Sequence, residues 1–369
     1  MNNENFQTIF DCGSSKVRAG IFNKNNQNEA FYAESNFFTY SSDLELKIQN
    51  IISSFEKDTN EHLNNIDLMV DSSKMLSIGI STCKKLDGSK LTQPNVKFLV
   101  QEAKQQIIKY YKDYSIAHII INNYKIDNID YFSLPDEIQC NLISLDILFI
   151  CLPADLVRYF KNIFSKTNIS INKIICSSYA KAINYKDKLN LTGNILFVDV
   201  GFSKTSVISC FNDKILSLNI LPIGGNHITK DISKILEIDL EQAEQIKLNF
   251  SKSIKPENNE KISIEMLKKI IFSRTEEILE LSAKSAELNS LLLGQFKMVL
   301  MGEGSKILNN HYKDKISFSN DIDFLEETLE NICQSGFEFR MGLNKQEVLM
   351  IAKKQIKQGF FEKLFLFNR

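Results

Sequence analysis

Two short segments constrain this chain more than anything else in it. They are Phe10-Asp11-Cys12-Gly13-Ser14-Ser15-Lys16 near the start and Val198-Asp199-Val200-Gly201-Phe202-Ser203-Lys204-Thr205 past the middle. In each, an apolar run of strand character (Thr8 to Phe10; Ile195 to Val198) ends in Asp-x-Gly and passes small hydroxyl residues. A second such run follows (Val17 to Phe22; Ser206 to Cys210). Gly and Ser at a hairpin bend turn backbone N–H groups outward, where a polyphosphate can accept them, and the neighbouring Asp can hold a hydrated Mg²⁺. One such tip is an ordinary hairpin signal. Two copies, most of a domain length apart, point to a duplicated, two-lobed nucleotide cleft.

At 369 residues the chain exceeds the size at which one core usually splits, so at least two domains are expected. Lys and Arg number 44 against 45 Asp and Glu, a net charge of -1 that argues against nucleic acid as a partner and makes any basic surface local. The seven cysteines (12, 83, 140, 151, 176, 210 and 333) are scattered and form no Cys-x-x-Cys pair. That pattern fits reduced thiols in a cytoplasm and argues against a zinc site or a disulfide framework. Met1 to Gln7 is polar, without an apolar signal core, and no apolar run approaches membrane-spanning length.

Between the two tips, Leu44 to Phe55 has helical spacing, and strands are expected at Leu68 to Val70 and Leu76 to Ile80. After Cys83, Thr92-Gln93-Pro94 opens a helix through Ile108. Strands at His118 to Ile121, Ile126 to Phe132 and Ile143 to Cys151 follow, then a helix from Leu156 to Phe164. This block of about eighty residues has the size of an inserted α+β subdomain. In the second half, three strands in meander order lead to Gly224-Gly225-Asn226. Helices are expected at His227 to Leu236, Leu240 to Ser251 and Glu265 to Leu291, then a strand at Met298 to Met301 and the turn Gly302-Glu303-Gly304-Ser305.

The order of these pieces, Asp-x-Gly turn, second Asp-x-Gly turn, Glu-x-x-Lys helix and Gly-x-Gly-Ser turn, resembles that of the actin-like ATPases. Within them the chain resembles the FtsA family of bacterial division proteins. The stretches that carry the likeness are Leu221 to Ile232, Ala243-Glu244-Gln245-Ile246-Lys247, Arg274 to Leu281 and Val299 to Ile307. The resemblance implies an α/β, actin-like (ribonuclease H-like), two-lobed fold with an inserted subdomain in the first lobe. The division expected is 1–83 with 164–191 (first lobe), 84–163 (insertion), 192–229 with 292–343 (second lobe), 230–291 (small subdomain), 344–352 (linker) and 353–369 (terminal helix).

It also implies ATP and Mg²⁺ as cofactors. Gly13, Ser14, Ser15 and Lys16 would meet the phosphates from one lobe and Gly201, Phe202, Ser203, Lys204 and Thr205 from the other, with Asp11 and Asp199 orienting Mg²⁺ through water. Gly224, Gly225, Glu244, Lys247, Gly302, Gly304, Ser305 and Lys306 would face the adenosine. Glu244 and Lys247, one helical turn apart, also fit a solvated ion pair, and Gly302 to Ser305 a plain strand-to-helix cap. One departure stands out: Phe202, Ser203 and Lys204 occupy places where actin-like proteins usually carry glycines and threonines. Bulk at a tight tip limits backbone approach to phosphate. With no His suitably placed and both Asp residues assigned to metal, ATP hydrolysis is expected to be slow or absent.

At the end of the chain, Ile356, Phe360, Phe361, Leu364, Phe365 and Phe367 share about half the circumference of a helix, opposite Gln358, Glu362 and Lys363. Lys357 interrupts that arc and Leu366 lies outside it. A terminal core helix fits this pattern; so does an interfacial membrane helix, with Phe360, Phe361, Lys363, Leu364, Phe365 and Phe367 at anionic lipid. The resemblance favours the second. It further implies a polymerising adaptor that joins the FtsZ C-terminal tail, docked near Arg274 and Glu277, and other division proteins to the cytoplasmic face of the inner membrane. The rival readings are a small-molecule kinase of the same superfold and an FtsA-like pilus-assembly ATPase.

Overall fold

The computed structural model describes residues 5–26, 29–36, 42–135, 138–211, 214–251, 263–287, 296–307, 322–342 and 347. Its first sheet runs in the order β3 (Ala30–Asn36), β2 (Lys16–Asn23), β1 (Phe6–Cys12), β4 (Asn65–Met69), β9 (Ser170–Ile175). The second repeats that plan with β12 (Lys214–Leu221), β11 (Thr205–Phe211), β10 (Ile195–Val200), β13 (Lys297–Met301), β14 (Ile322–Phe324). In both, an antiparallel three-stranded meander is extended by two parallel strands on the side of its first strand. This duplication is the actin-like fold.

The register at the two hairpin tips is also shared. Cys12 pairs with Val17 and Val200 with Thr205, so each tip is a four-residue Gly-x-Ser-Lys turn, closed by Gly13 N–H to Lys16 O and Gly201 N–H to Lys204 O, both 2.9 Å. One register step back, Asp11 faces Arg18, whereas Asp199 faces Ser206.

The central strands are buried on both faces, so they appear in the sequence as unbroken apolar runs rather than alternations. Ile195 and Phe197 point into the core shared with the first lobe. Leu196, Val198 and Val200 point the other way, onto Ile278 and Leu279 of α7 (Ile264–Glu287). A third sheet, β5 (Leu76–Lys85), β8 (Leu142–Pro153), β6 (Tyr114–Ile126), β7 (Ile129–Tyr131), carries α2 (Gln93–Tyr110) on one face. Asp127 and Asn128, both with positive φ, turn what the sequence presents as one strand, Ile126 to Phe132, into a tight hairpin.

Four expected divisions move. The inserted sheet begins at Leu76 rather than at 84, because β5 pairs along its whole length with β8. It ends at Pro153, since Phe160, Ile163 and Phe164 of α3 (Ala154–Ser165) pack into the first-lobe core. The helix α8 (Leu329–Arg340), expected with the second lobe as part of 292–343, lies on the first: Phe337 stacks on Phe22 at 4.6 Å. The expected break at 230 falls inside α5 (Gly225–Leu236), whose Ile228 and Ile232 pack with α6 (Leu240–Ser251) and α7. The helix expected to reach Leu291 is described to Glu287, and 353–369, with the candidate membrane residues, lie outside the described residues.

Candidate functional site

Between the lobes lies a cleft with about 610 Å³ of empty space, including its open mouth, a size ordinary for a ligand pocket. From the first tip Gly13, Ser14, Ser15 and Lys16 line it; from the second, Gly201, Phe202 and Lys204. Asp11 and Asp199 lie at its floor, each at the buried end of a strand where the chain turns back. The remaining charged lining residues are Arg18, Asp71, Lys181, Glu303 and Glu327, so five carboxylates meet four cations.

These charges are already matched to one another. Asp11 accepts from Ser177 Oγ at 2.7 Å and pairs with Arg18 Nη1 at 3.2 Å. Arg18 Nη2 also lies 3.0 Å, and Lys16 Nζ 2.7 Å, from Glu303 Oε1, which follows β13 in the second lobe. In that lobe the residue opposite Asp199 is Ser206, and the cation comes instead from α4 (Ser177–Lys188): Lys181 Nζ is 2.8 Å from Asp199 Oδ2 and 3.1 Å from Glu327 Oε1. Glu327 also accepts from Tyr185 Oη at 3.0 Å and from the Gly302 N–H at 2.8 Å. Asp71 accepts from Cys176 Sγ, the Ser178 N–H and Ser206 Oγ.

Burial works against the charged forms of Arg18, Lys181, Asp71, Glu303 and Asp199, and their partners decide the outcome. Burial opposes ionised Arg18 and Lys181, yet Asp11 and Glu303 hold Arg18, and Asp199 and Glu327 hold Lys181, above their ordinary values. Glu303 and Asp71 are lowered despite burial, by Arg18 and Lys16 in the first case and by Lys204 and the Cys176 thiol in the second. Asp199 goes the other way: burial, reinforced by Glu327 and only partly offset by Lys181, pushes it up to about 6.

Several other candidates come together beside this cleft, at the second tip: the Gly225 N–H donates to Gly201 O at 2.9 Å, and a Cβ on Gly225 would lie 3.7 Å from Lys247 Nζ and 3.8 Å from Gly304 Cα. Thr205 is buried and its hydroxyl donates to Ile223 O at 2.7 Å. Ser203 and the adenosine candidates Gly224, Gly225, Glu244, Lys247, Gly304, Ser305 and Lys306 are absent from its lining. Lys247 is no solvated surface charge: it is buried and donates to Gly225 O, Thr229 Oγ1 and Glu244. Burial lowers its pKa against the pull of Glu244. Its ammonium stands 5.7 Å from the centre of the Phe202 ring, beside the cleft.

Gly302 and Gly304, expected to face the adenosine, lie close against the backbone of the second tip. A Cβ would fall 2.5 Å from Val200 O at Gly302, whose φ is +88°, and 2.8 Å from it at Gly304. Ser305 caps within the turn, donating to Gly302 O at 2.7 Å, and Lys306 faces solvent. Arg274, a partner candidate, forks onto Asp231 across α5 and α7 and also pairs with Glu277.

A family model described as "Cell division protein FtsA" matches residues 196–343. The cell division protein FtsA of Buchnera aphidicola subsp. Acyrthosiphon pisum is 22% identical over 353 residues, covering 83% of this chain and 82% of the relative. This chain is FtsA-like. The FtsA of Buchnera aphidicola subsp. Schizaphis graminum is 23% identical over 271 residues, covering 69% of this chain but 62% of that relative's length. Among solved structures, the PilM-PilN type IV pilus biogenesis complex superposes with a TM-score of 0.63 at 14% identity, over 91% of this chain and 96% of that one, a likeness of fold.

Sequence reasoning named Lys16, Lys204, Asp11 and Asp199 but missed Arg18, Lys181, Asp71, Glu303 and Glu327 of the same cleft. Arg18 was within reach, because a tip pairing Cys12 with Val17 fixes Asp11 opposite Arg18. Asp71 also carries a signal, ending the apolar run Leu68-Met69-Val70 on a strand parallel to β1. Lys181 sits between Ala180 and Ala182 on a buried helix, an anomaly in burial that local pattern does not assign. Glu327 and Glu303 reach the cleft through tertiary packing alone.

Proposed function

We propose that this chain is an actin-like division scaffold that binds a nucleotide, ATP by class, between its lobes, self-associates, and links the C-terminal tail of FtsZ to anionic lipid at the cytoplasmic face of the membrane. The observation that carries the reading is the FtsA likeness, which covers 83% of the chain, more than either lobe or the insertion accounts for alone. The amphipathic pattern of 353–369 supports the lipid contact, and no helix among the described residues is long and apolar enough to cross a membrane.

For the nucleotide, the Gly13 to Lys16 tip offers backbone and charge to phosphate at the mouth of the cleft. Slow or absent hydrolysis is supported by the engagement of Asp11, Asp71, Asp199, Glu303 and Glu327, each of which accepts from a protein donor. Each donor takes up part of a carboxylate's lone-pair capacity and fixes its orientation, which works against its serving as a base toward water. Around Arg274, which is bound to Asp231 and Glu277, an acidic peptide would meet a compensated site, so Lys268 and Lys269 are the better candidates for charge attraction.

The test is co-sedimentation of the full chain, and of a chain ending at Ala352, with anionic and neutral vesicles. Pelleting of the full chain with anionic vesicles, and its loss on truncation, is expected. Equal pelleting removes the membrane role and favours the pilus-assembly reading.

A further inference from the structure

The donor set of the cleft does not fit Mg²⁺ held at Asp11 and Asp199. Held through its waters, that ion needs carboxylate lone pairs turned toward its hydration shell, with phosphate oxygens completing a near-octahedral set. Here both oxygens of Asp11 are engaged, one by Ser177 and the other by Arg18. Asp199 Oδ2 faces Lys181 Nζ at 2.8 Å, and its other oxygen packs against Gly302. Among the described residues, no group of three or more His, Cys, Asp or Glu is arranged around a common cation position.

Lys181 is what stands there instead. Its side chain is 7% exposed, and it bridges Asp199 of β10 to Glu327, the residue that leads into α8. Because α4 belongs to the first lobe and β10 to the second, the ammonium joins the lobes at the cleft floor. Glu327 is itself fixed by Tyr185 and the Gly302 N–H, so the bridge has a set geometry. A divalent ion entering beside Asp199 would meet this ammonium and, across the floor, the Arg18 guanidinium.

We infer that Lys181 takes the divalent cation's place between Asp199 and Glu327, so that the cleft closes, and holds phosphate-bearing ligands, without Mg²⁺. The bridge stands on its own geometry; the ligand clause rests on the nucleotide reading above. A tethered ammonium brings one charge and no open coordination position, so it balances the floor carboxylates without activating a water. Phosphate would then be met by the protein's own cations, Lys16, Arg18 and Lys204.

The experiment uses the purified full chain. Mn²⁺ uptake is measured by electron paramagnetic resonance with and without AMPPNP, and mant-ATP binding is titrated in EDTA and in Mg²⁺, for the wild type, K181S and D199N. The wild type should take up no stoichiometric Mn²⁺ and bind mant-ATP within about twofold in the two buffers, whereas K181S should take up about one Mn²⁺ and bind about tenfold tighter with Mg²⁺. Stoichiometric Mn²⁺ in the wild type that D199N removes, or wild-type binding about tenfold tighter with Mg²⁺, overturns the inference. If mant-ATP binds in neither buffer, the nucleotide reading fails; the bridge then stands if K181S alone gains Mn²⁺ and falls if it does not. Should K181S fail to fold by circular dichroism, the wild-type arms decide.

Discussion

Glu303 Oε1 lies 2.7 Å from Lys16 Nζ, a contact between residues 287 positions apart that joins the second lobe to the first Gly-x-Ser-Lys tip. The same oxygen is 3.0 Å from Arg18 Nη2, so one carboxylate occupies both cations a phosphate would use on that side. Removing its charge while keeping its shape separates two roles. E303Q should cost about 1 kcal/mol of stability, since the side chain is partly exposed, and tighten mant-ATP binding by about tenfold as the internal competitor disappears. Urea unfolding and a binding titration check both; weaker binding would make Glu303 part of the ligand site.

Asp199 predicts a pH dependence with an unusual sign. Its folded value is raised from the ordinary 3.8 to about 6, so between those values the folded state holds a proton that the unfolded chain has lost. Stability from this group therefore falls as pH rises through that window and is flat above it. Asp71, Glu303 and Glu347, all lowered, contribute the reverse: stability present above their ordinary values and lost as pH falls through the lowered ones. Subtracting the D199N unfolding curve from the wild type between pH 4 and pH 6, limits set by that shift, should isolate a descending term. A flat difference would place the Asp199 proton elsewhere.

Glu347 fastens the chain to two other elements. His118 Nε2 accepts the Cys176 N–H at 2.8 Å, which leaves Nδ1 to donate to Glu347 Oε1 at 3.0 Å, and Lys173 Nζ reaches the same oxygen at 3.0 Å. E347A strands a buried donor and should lower stability by about 1–3 kcal/mol, with E347Q recovering part of it by keeping an acceptor. Thermal unfolding of the two variants measures this, and equal loss in both would assign the effect to charge alone.

Thiol chemistry should be confined to one position. Cys83 is exposed, while Cys12, Cys140, Cys151, Cys176, Cys210 and Cys333 are buried. Burial, helped by Asp11 and Asp71 respectively, raises Cys12 and Cys176 well above the ordinary thiol. Native protein should react with Ellman's reagent at a single site, removed by C83S, and at the others only after unfolding.

The fold was legible where the chain repeats itself. The twin tips, the meander strands and the helices α5 and α6 follow from alternation, turn chemistry and helical spacing, and the Asp-x-Gly turns led directly to the cleft floor. What escaped depends on distant packing. Gly302 and Gly304 look like adenosine contacts, yet they lie close against the backbone of Val200. Lys247 looks like half of a surface ion pair, yet Thr229 and Gly225 O bury it. α8 follows the second lobe in sequence, but Gly336 lets it approach Ile9 and Met69 of the first.

The Glu347 contact has a mechanical consequence. It is the last described residue before the apolar C-terminal segment, and its carboxylate is gripped by β6 of the insertion and β9 of the first lobe. Tension applied to that segment would be delivered first to His118 and Lys173. From His118 it passes to the Cys176 N–H, one residue before the Ser177 hydroxyl that holds Asp11. The load path from the C-terminal segment thus ends at the floor of the cleft, where a pull on that segment and a change at Asp11 would be felt by the same short run of chain.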